Sequence, residues 1–289
     1  MTCCCLDDRE RKLFIGDSDG RIVAINVKKG QPLRKFEKHE NKDIITDLVY
    51  FAQETSNKAK GQEKLNDTSK ILVSASRTNS IKIHDDSFTN FNLSRNYEMK
   101  QHRSSVNGLS IKYEGSVVGG GIDGVVASCS DDSTIIITNL SSFRFEAQLK
   151  PAEGLYFKKV LFLNPYDALV SADGDGQLFF FAYSPEKKFK HVFTKQYMAA
   201  SQTNAEVVEM SPVTAMNFDP KNLCLLLGDE FGNIELWDCS KFIERIQTNT
   251  SYFEQKFDKR KTIKQNGKAN ANVTSLNKPT VRIFILKKR

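Results

Sequence analysis

Three residue types that hydrolases combine for nucleophilic catalysis occur close together in the chain. They are His102, Ser128 and Asp132. In a serine hydrolase, the histidine activates the serine and an aspartate orients the histidine. No nucleophile elbow, the strained turn with the pattern G-x-S-x-G, surrounds Ser128. We therefore favour a structural role for these residues over a catalytic one, and we assign no catalytic residue.

A glycine-rich segment satisfies the pattern G-x-G-x-x-G between Gly119 and Gly124. A dinucleotide site needs this pattern after a strand and at the start of a helix, whose N-terminus receives the pyrophosphate. The residues that follow, Val-Val-Ala-Ser at 125–128, predict a strand instead. The segment is typical of a hairpin, and we predict no bound cofactor.

Two aspartate-rich segments, at residues 17–20 and 173–176, resemble the start of a calcium loop. The EF-hand loop requires a glycine at its sixth position and a glutamate at its twelfth. Neither segment meets these requirements. Both are predicted to be turns, and no metal site is predicted.

Cys3, Cys4 and Cys5 are adjacent in the sequence. In a strand their side chains point alternately to opposite faces, so they cannot converge on one zinc ion. S-acylation is an alternative role, but the repeats described below explain the segment as a first strand. The six cysteines contain no C-x-x-C pair, which indicates a reducing, cytoplasmic setting. No stretch approaches the ~20 apolar residues of a membrane span.

Positive charge is concentrated at the C-terminal end. Residues 240–289 contain 13 Lys and Arg and 3 Asp and Glu, whereas the preceding residues contain 29 and 32. Residues 247–289 are therefore predicted to be a basic, largely disordered tail, with a possible last strand at 281–286. Such a tail suits nucleic acid, anionic lipid or an acidic protein surface.

One stretch shows most clearly how the chain is built. Residues 223–238, LCLLLGDEFGNIELWD, form an apolar run, a polar turn and an alternating strand. Gly232 in the turn is free to take the positive φ of a tight hairpin. Residues 213–220 predict a further strand just before this hairpin, closed by a turn.

The same order of strand, turn and strand recurs four more times. A small residue, a polar turn and an alternating strand occur at residues 14–26, 72–85, 126–139 and 169–182. The five turns are predicted at Gly20, Asn79, Asp132, Gly176 and Gly232. Each of the four hairpins also has an upstream strand, at residues 2–6, 46–51, 106–111 and 160–163. Helical periodicity is absent over any long window, so the chain is predicted to be all-β.

The repeat spacing and the terminal Trp237-Asp238 resemble the blades of the WD-repeat β-propeller family. Within this resemblance, His102, Ser128 and Asp132 match three members of the family's buried Asp-His-Ser-Trp network. Thr138 stands at the tryptophan position, so the network is incomplete. The resemblance implies a non-catalytic scaffold for protein–protein interactions.

Blades four and five have a more particular resemblance. Residues 162–166 contain Phe-Leu-x-Pro-Tyr, residues 169–173 read Leu-Val-Ser-Ala-Asp, and residues 227–238 form the closing hairpin. These segments are similar to blades of large WD-repeat proteins of cilia and flagella. This similarity implies a multi-protein ciliary or axonemal assembly.

These observations predict five blades within residues 1–246, with a polar loop insertion at 52–70 and the outer strand of the last blade at 241–246. Closed rings of this kind commonly have seven blades, so we expect an incomplete ring that is part of a larger protein. The first alternative function is binding of nucleic acid or ribonucleoprotein through the tail. The second is a propeller enzyme, which would require ionisable residues to converge in the channel.

Overall fold

The computed structural model describes residues 1–40, 43–54, 68–86, 97–113, 124–140, 142–183, 189–197 and 212–248, together with the backbone of 282–285. Twenty strands form five antiparallel sheets of four strands each, and each sheet is one blade. In every blade the four strands follow one another in sequence order across the sheet. The predicted all-β propeller with five blades is confirmed.

The first two blades contain β1 to β8. Their bounds are β1 (Cys3–Leu6), β2 (Lys12–Gly16), β3 (Ile22–Asn26), β4 (Pro32–Lys35), β5 (Ile45–Glu54), β6 (Thr68–Ser76), β7 (Ile81–Asp85) and β8 (Tyr97–Met99). The predicted loop insertion at 52–70 is therefore shorter than expected, because β5 and β6 extend the pairing of their apolar segments to Glu54 and Thr68. Residues 55–67 lie outside the described part of the chain.

The remaining blades contain β9 to β20. Their bounds are β9 (Val106–Tyr113), β10 (Gly124–Ser130), β11 (Ile135–Asn139), β12 (Phe145–Leu149), β13 (Phe157–Phe162), β14 (Ala168–Asp173), β15 (Gln177–Tyr183), β16 (Phe189–Gln196), β17 (Val213–Asp219), β18 (Cys224–Asp229), β19 (Ile234–Asp238) and β20 (Arg282–Ile285). Gly124 begins a strand, as predicted for the residues after the glycine-rich segment, whereas Gly119 to Asp123 lie outside the described residues.

The hairpin between the second and third strands of each blade is where the sequence predicted it. In four blades the predicted residue has a positive φ, and in blade three the residue is Ser133, one position after Asp132. Asp132 instead accepts hydrogen bonds in this turn, which a short carboxylate side chain does well. In three hairpins an aspartate at one shared position caps the backbone: Asp17, Asp173 and Asp229.

Apolar faces of neighbouring blades pack together and form the core. Phe14 and Ile22 of blade one contact Leu72 of blade two, and corresponding clusters lie at the next three junctions. At the last of these junctions the fully buried Trp237 packs with residues of blade four. Burial of both faces of a blade explains why many strands are apolar throughout, whereas a sheet with one solvated face alternates.

The first strands of successive blades lie side by side around the centre. β1 packs near β5, β5 near β9, β9 near β13, and β13 near β17. The described strands show no comparable packing between β17 and β1. The blades thus form an arc with unpacked ends, which agrees with the expected open ring. That the chain is part of a larger protein stays a prediction.

Residues 241–246 do not form the predicted outer strand. They belong to α1 (Ser240–Thr248), the single helix among the described residues. Phe242, Ile243 and Ile246 recur at helical spacing and pack against the core between blades four and five. Asp238 accepts a hydrogen bond from the Ser240 N–H, as an N-terminal cap does. The apolar positions of this segment follow the helical period, so the outer strand expected directly after Asp238 does not form here.

The outer strand of blade five is β20, from the far end of the sequence. It pairs antiparallel with β19, with Phe284 opposite Leu236. A possible last strand was predicted at 281–286, and β20 lies within this segment. The rest of the predicted basic tail from 249 onwards lies outside the described residues. Within the described residues, no helix is long and apolar enough to cross a membrane.

Candidate functional site

An irregularity of the same kind occurs in four of the five inner strands. Each strand contains a β-bulge near its start, and the extra residue is Thr46, Asn107, Lys158 or Thr214. Thr2 holds the corresponding place in blade one, just before β1. A bulge inserts one unpaired residue and turns its side chain away from the regular alternation. The repeated bulge therefore gives each blade one side chain with a new direction.

These five side chains meet at the centre of the arc. They line a cavity of about 480 Å³, to which every blade contributes. The other lining residues are Ile44, Ile45, Lys159, Gly174, Pro212, Val213 and Glu230. Gly174 and Glu230 belong to hairpins between second and third strands. We call the end of the central channel that these twelve lining residues surround the upper mouth.

Hydrogen bonds link three of these side chains, Thr2, Thr46 and Asn107, to the next blade. Each of the three donates to the carbonyl of the residue just before the bulge of the following blade. The bonds run from Thr2 Oγ1 to Ile45 (2.6 Å), from Thr46 Oγ1 to Val106 (2.5 Å) and from Asn107 Nδ2 to Phe157 (2.8 Å). The three carbonyls lie next to bulges, where the regular strand pairing is interrupted. These bonds therefore help to satisfy backbone acceptors at the channel.

Charged groups lie along the same wall. Lys158 Nζ donates to Asp131 Oδ1 at 2.8 Å, and Asn107 Nδ2 donates to the same oxygen at 2.7 Å. Burial raises the pKa of Asp47, whereas the nearby positive charge of Lys159 opposes this rise. Asp47 also accepts the backbone N–H of Leu109 in the next blade at 2.8 Å. The cavity thus combines two lysines with carboxylates that are already held by other groups.

Two aromatic side chains are exposed beside the upper mouth. Tyr156 is 57% exposed, and its backbone carbonyl accepts the Gly174 N–H at 2.8 Å. Phe231 is 59% exposed and follows Glu230 in the hairpin of blade five. Both aromatics are adjacent to residues that line the cavity. Exposed aromatic residues beside a cavity are typical of protein interaction surfaces.

The structure brings the three residues of the hydrolase pattern together. His102 Nε2 lies 2.8 Å from Ser128 Oγ, and His102 Nδ1 lies 3.1 Å from Asp132 Oδ2. Burial alone would raise the pKa of Asp132, but hydrogen bonds from His102, Thr134 and the Arg103 N–H outweigh it and lower the pKa. Ser128 is 1% exposed, so its hydroxyl cannot reach a substrate. The three residues tie the loop before blade three to its hairpin.

Thr138 stands where the resemblance places a tryptophan. Its hydroxyl donates to Gln101 Oε1 at 3.1 Å and makes no hydrogen bond with His102. The network of blade three therefore has three members, as predicted. Blade five has the tryptophan that blade three lacks. Trp237 Nε1 donates to the buried Glu235 at 2.7 Å.

Blade two contains a similar network that the sequence reasoning missed. His39 Nε2 lies 2.7 Å from Ser74 Oγ, and Ser74 Oγ lies 3.0 Å from His84 Nε2. Thr78 replaces the turn aspartate and donates, through both its N–H and its hydroxyl, to Asp43. The His-Ser pair was hidden because the chain between its members is longer than in blade three.

The bulge residues were also missed, although the sequence contains a signal for them. In blades two to five, the inner strand begins with four residues in the order apolar, polar, any residue, apolar. The segments are ITDL at 45–48, VNGL at 106–109, FKKV at 157–160 and VTAM at 213–216. Two residues between the apolar positions break the period of two, and this break predicts a bulge.

The chemistry available at the cavity is hydrogen bonding and charge pairing. Across the described residues, no group of His, Cys, Asp and Glu is arranged to hold a metal ion. The lining side chains combine hydroxyls, an amide, two lysines and Glu230 with apolar groups such as Ile45 and Val213, which suits the recognition of a segment of another molecule that carries both polar and apolar groups.

Comparison with known proteins gives the same fold. The family model described as "WD domain, G-beta repeat" matches residues 93–139, which include blade three. A chain of the solved structure "Crystal Structure of Mitotic Checkpoint Complex" is 17% identical, with a TM-score of 0.55. The match covers 81% of this chain and 61% of that chain, so this protein spans less than two thirds of the length it resembles. No curated protein matches the chain.

Proposed function

We propose that the protein is a non-catalytic scaffold that binds segments of other proteins at its upper mouth. The observation that carries this proposal is the recurrence of one bulge in four blades, which directs four side chains into a shared cavity. A propeller fold with a matched WD repeat supports an interaction scaffold. Because rigid sheets already hold these side chains in place, binding a partner costs little of their conformational entropy.

The chemistry of the mouth indicates what the partner carries. Lys158 and Lys159 supply positive charge on the side of blade four, and Tyr156 and Phe231 supply exposed aromatic surface next to them. A partner segment with acidic residues beside apolar ones would pair with both features. Thr46 and Asn107 use their donors for bonds between blades, which makes the wall rigid.

The experiment is a pulldown with the tagged chain, followed by identification of the bound proteins. It compares the wild type with Lys158→Met, which removes one channel charge but keeps the apolar stem. The matched control is Lys28→Met, which removes an exposed charge at the opposite end of blade one. We expect partners to bind the wild type and the control, and to be lost with Lys158→Met. Partners unaffected by Lys158→Met would place binding elsewhere and contradict the proposal.

The basic tail favours a second candidate function, binding of nucleic acid or ribonucleoprotein. Residues 249–281 contain seven Lys and Arg and two acidic residues. Phosphate contacts by lysine and arginine make such binding strongly dependent on salt. A cytoplasmic location and a ciliary or axonemal assembly are further proposals. The ciliary setting rests only on the resemblance of blades four and five.

A further inference from the structure

In the network of blade two, one ring nitrogen of the histidine has no hydrogen-bond partner among the described residues. His39 Nε2 lies 2.7 Å from Ser74 Oγ, whereas the unpartnered nitrogen is Nδ1, which is buried. Asp43 Oδ2 lies 3.9 Å from His39 Nδ1, beyond the reach of a hydrogen bond. A buried polar atom without a partner in a folded protein calls for an explanation.

The gap between His39 and Asp43 has no equivalent in blade three. There, Asp132 Oδ2 and Thr134 Oγ1 lie 3.1 and 3.3 Å from His102 Nδ1. Thr78 and Ser80 hold the same two places in the hairpin of blade two, four and six positions after the network serine. Thr78 donates to the carboxylate of the preceding loop, and Ser80 Oγ donates to a glutamate of β8. Neither hydroxyl is therefore used for the histidine.

Backbone contacts hold both sides of the gap in place. The His39 N–H donates to the carbonyl of Gly20 at 3.0 Å, and the Asp43 N–H donates to the carbonyl of Glu40 at 3.1 Å. The Thr78 N–H donates to Asp43 Oδ1 at 3.0 Å. The side chains of His39 and Asp43 are 0% and 1% exposed. The two facing atoms are thus preorganised for a group placed between them.

The gap borders a polar cavity of about 520 Å³. This cavity is lined by His39, Glu40, Asp43, Thr78 and Lys100, and we call it the outer cavity. None of these five residues lines the upper mouth. The half-exposed Lys100 pairs with Glu40 at 3.3 Å and with a glutamate of β8 at 3.4 Å, so its ammonium group is held by carboxylates other than Asp43.

Both atoms that face the gap can accept a hydrogen bond. Burial and the positive charge of Lys82 lower the pKa of His39 to about 4, so the ring is neutral at pH 7. The proton of Ser74 has two other acceptors, His84 Nε2 at 3.0 Å and the Lys82 carbonyl at 3.4 Å. His39 Nε2 can therefore keep its proton and donate to Ser74, which leaves a lone pair on Nδ1.

Negative charge exceeds positive charge around the gap. Four carboxylates and two lysine ammonium groups surround the neutral His39: Asp43, Glu37, Glu98 and Glu40, with Lys82 and Lys100. This excess of carboxylates favours a cation over an anion at the gap.

We propose that the outer cavity binds a primary ammonium group, which donates one hydrogen bond to His39 Nδ1 and another to Asp43 Oδ2. A nitrogen placed about 2.9 Å from both atoms sees them nearly at a right angle. This angle is closer to the tetrahedral directions of an ammonium group than to the wider fork of a planar guanidinium nitrogen. Charge-assisted hydrogen bonds of this kind are the stronger ones in proteins. The site does not depend on the function proposed for the upper mouth.

A lysine side chain and a free N-terminus both carry this group. The test therefore starts with a simple probe, n-butylammonium, and follows the full chain labelled with nitrogen-15 in its histidines by NMR. The His39 signals are assigned by their loss in His39→Gln. The matched control probe is butyltrimethylammonium, which has the same charge but no N–H donor. We expect the Nδ1 resonance of His39 to shift with n-butylammonium and to stay in place with the control.

Two variants test the charges. Asp43→Asn keeps the shape of the side chain but removes its charge, and it should weaken binding of n-butylammonium about tenfold. Lys100→Met removes a nearby positive charge and should strengthen binding about threefold, since less repulsion opposes the probe. Lys28→Met, at an exposed position in blade one, is the control and should leave binding unchanged. Because Lys100 is exposed, its variant tests the proposal even where Asp43→Asn does not fold.

Two peptides separate the sources of the ammonium group. One is acetyl-Gly-Lys-Gly-amide, which has only the lysine ammonium, and the other is Gly-Gly-Gly-amide, which has only the N-terminal one. Binding of at least one supports the proposal and identifies the source. No shift with any ammonium probe, as for a gap filled by solvent alone, would overturn it. Equal binding of butyltrimethylammonium, or weaker binding to Lys100→Met, would also overturn it.

Discussion

Thr46 Oγ1 donates a 2.5 Å hydrogen bond to the carbonyl oxygen of Val106, so the bulge residue of blade two is tied to the inner strand of blade three. Thr46 therefore takes part in two features of the fold, the bulge of blade two and the contact between blades two and three. The bulge turns Thr46 towards the channel, and the hydroxyl then joins adjacent blades that the backbone of the sheets does not link.

Replacing Thr46 with valine should therefore lower the free energy of unfolding, although the substitution is small. Valine keeps the shape of the side chain but leaves the Val106 carbonyl without this donor. We expect a loss of about 1 kcal/mol in the free energy of unfolding, measured by urea denaturation. Thr214→Val is the control, because the Thr214 hydroxyl makes a longer bond of 3.3 Å within its own blade. Equal losses for the two variants would contradict a role in joining blades.

His39 should make stability depend on pH. Burial, helped by the positive charge of Lys82, lowers the pKa of His39 to about 4 from 6.5, whereas Asp43, Glu98 and Glu37 oppose the shift. The unfolded chain therefore binds this proton more readily, and stability falls as the pH drops from 6.5 towards 4. The linkage amounts to about 2 kcal/mol between pH 7 and pH 5.

The measurement is the difference in unfolding free energy at these two pH values, for the wild type and for His39→Gln. Glutamine cannot take up a proton in this range, so the variant should lose less stability on acidification. Groups distant from His39 titrate equally in both proteins and cancel. An identical pH profile for the two proteins would show that His39 is not held neutral by the fold.

Trp237 and Glu235 should depend on each other energetically. The indole N–H donates to a carboxylate that is 3% exposed, and burial raises the pKa of this carboxylate while the hydrogen bond lowers it. Trp237→Phe should cost roughly 2 to 3 kcal/mol, because it leaves a cavity and removes a donor from a buried acid. With Glu235→Gln in the background, this cost should shrink by about 1 kcal/mol. Additive losses in the double-mutant cycle would mean that the hydrogen bond contributes little.

The tail prediction must be tested by substitution. Deleting residues 256–289 would also remove β20 and expose the edge of β19, so weaker binding would have two causes. We propose changing the seven Lys and Arg between 249 and 281 to glutamine and measuring binding to single-stranded nucleic acid over a range of salt concentrations. The slope of log K against log salt should become shallower. An unchanged slope would exclude the tail as a docking element.

Much of the fold was predictable because each blade repeats a local pattern. Strand alternation and turn residues such as Gly20, Gly176 and Gly232 act over a few residues, and the structure places the hairpins there. The helix over 240–248 was missed because the outer strand of the last blade was expected directly after Asp238, although the apolar residues at 242, 243 and 246 follow the helical period. The pairing of β20 with β19 was missed because no local signal specifies a partner so far away in sequence.

The candidate site was less predictable. His102, Ser128 and Asp132 were found because a resemblance supplied their positions, and their contacts match it. The channel residues Thr46 and Lys158 fit no catalytic or metal pattern. They meet in one cavity only because several blades are arranged around a common axis, and the sequence of a single blade does not show this arrangement.

The closure of blade five by β20 affects how often the outer strand of this blade opens. After α1 ends at Thr248, 33 residues intervene before β20 begins, whereas four residues separate β17 from β18 and another four separate β18 from β19. Entropy of loop closure makes such a long connection roughly 2 kcal/mol more costly than a tight turn. The β19–β20 ladder should therefore open more often than any other in its blade, with amide hydrogens of β20 exchanging early while β18 stays protected. We therefore expect the outer strand of blade five to detach and return while the core of the propeller remains folded.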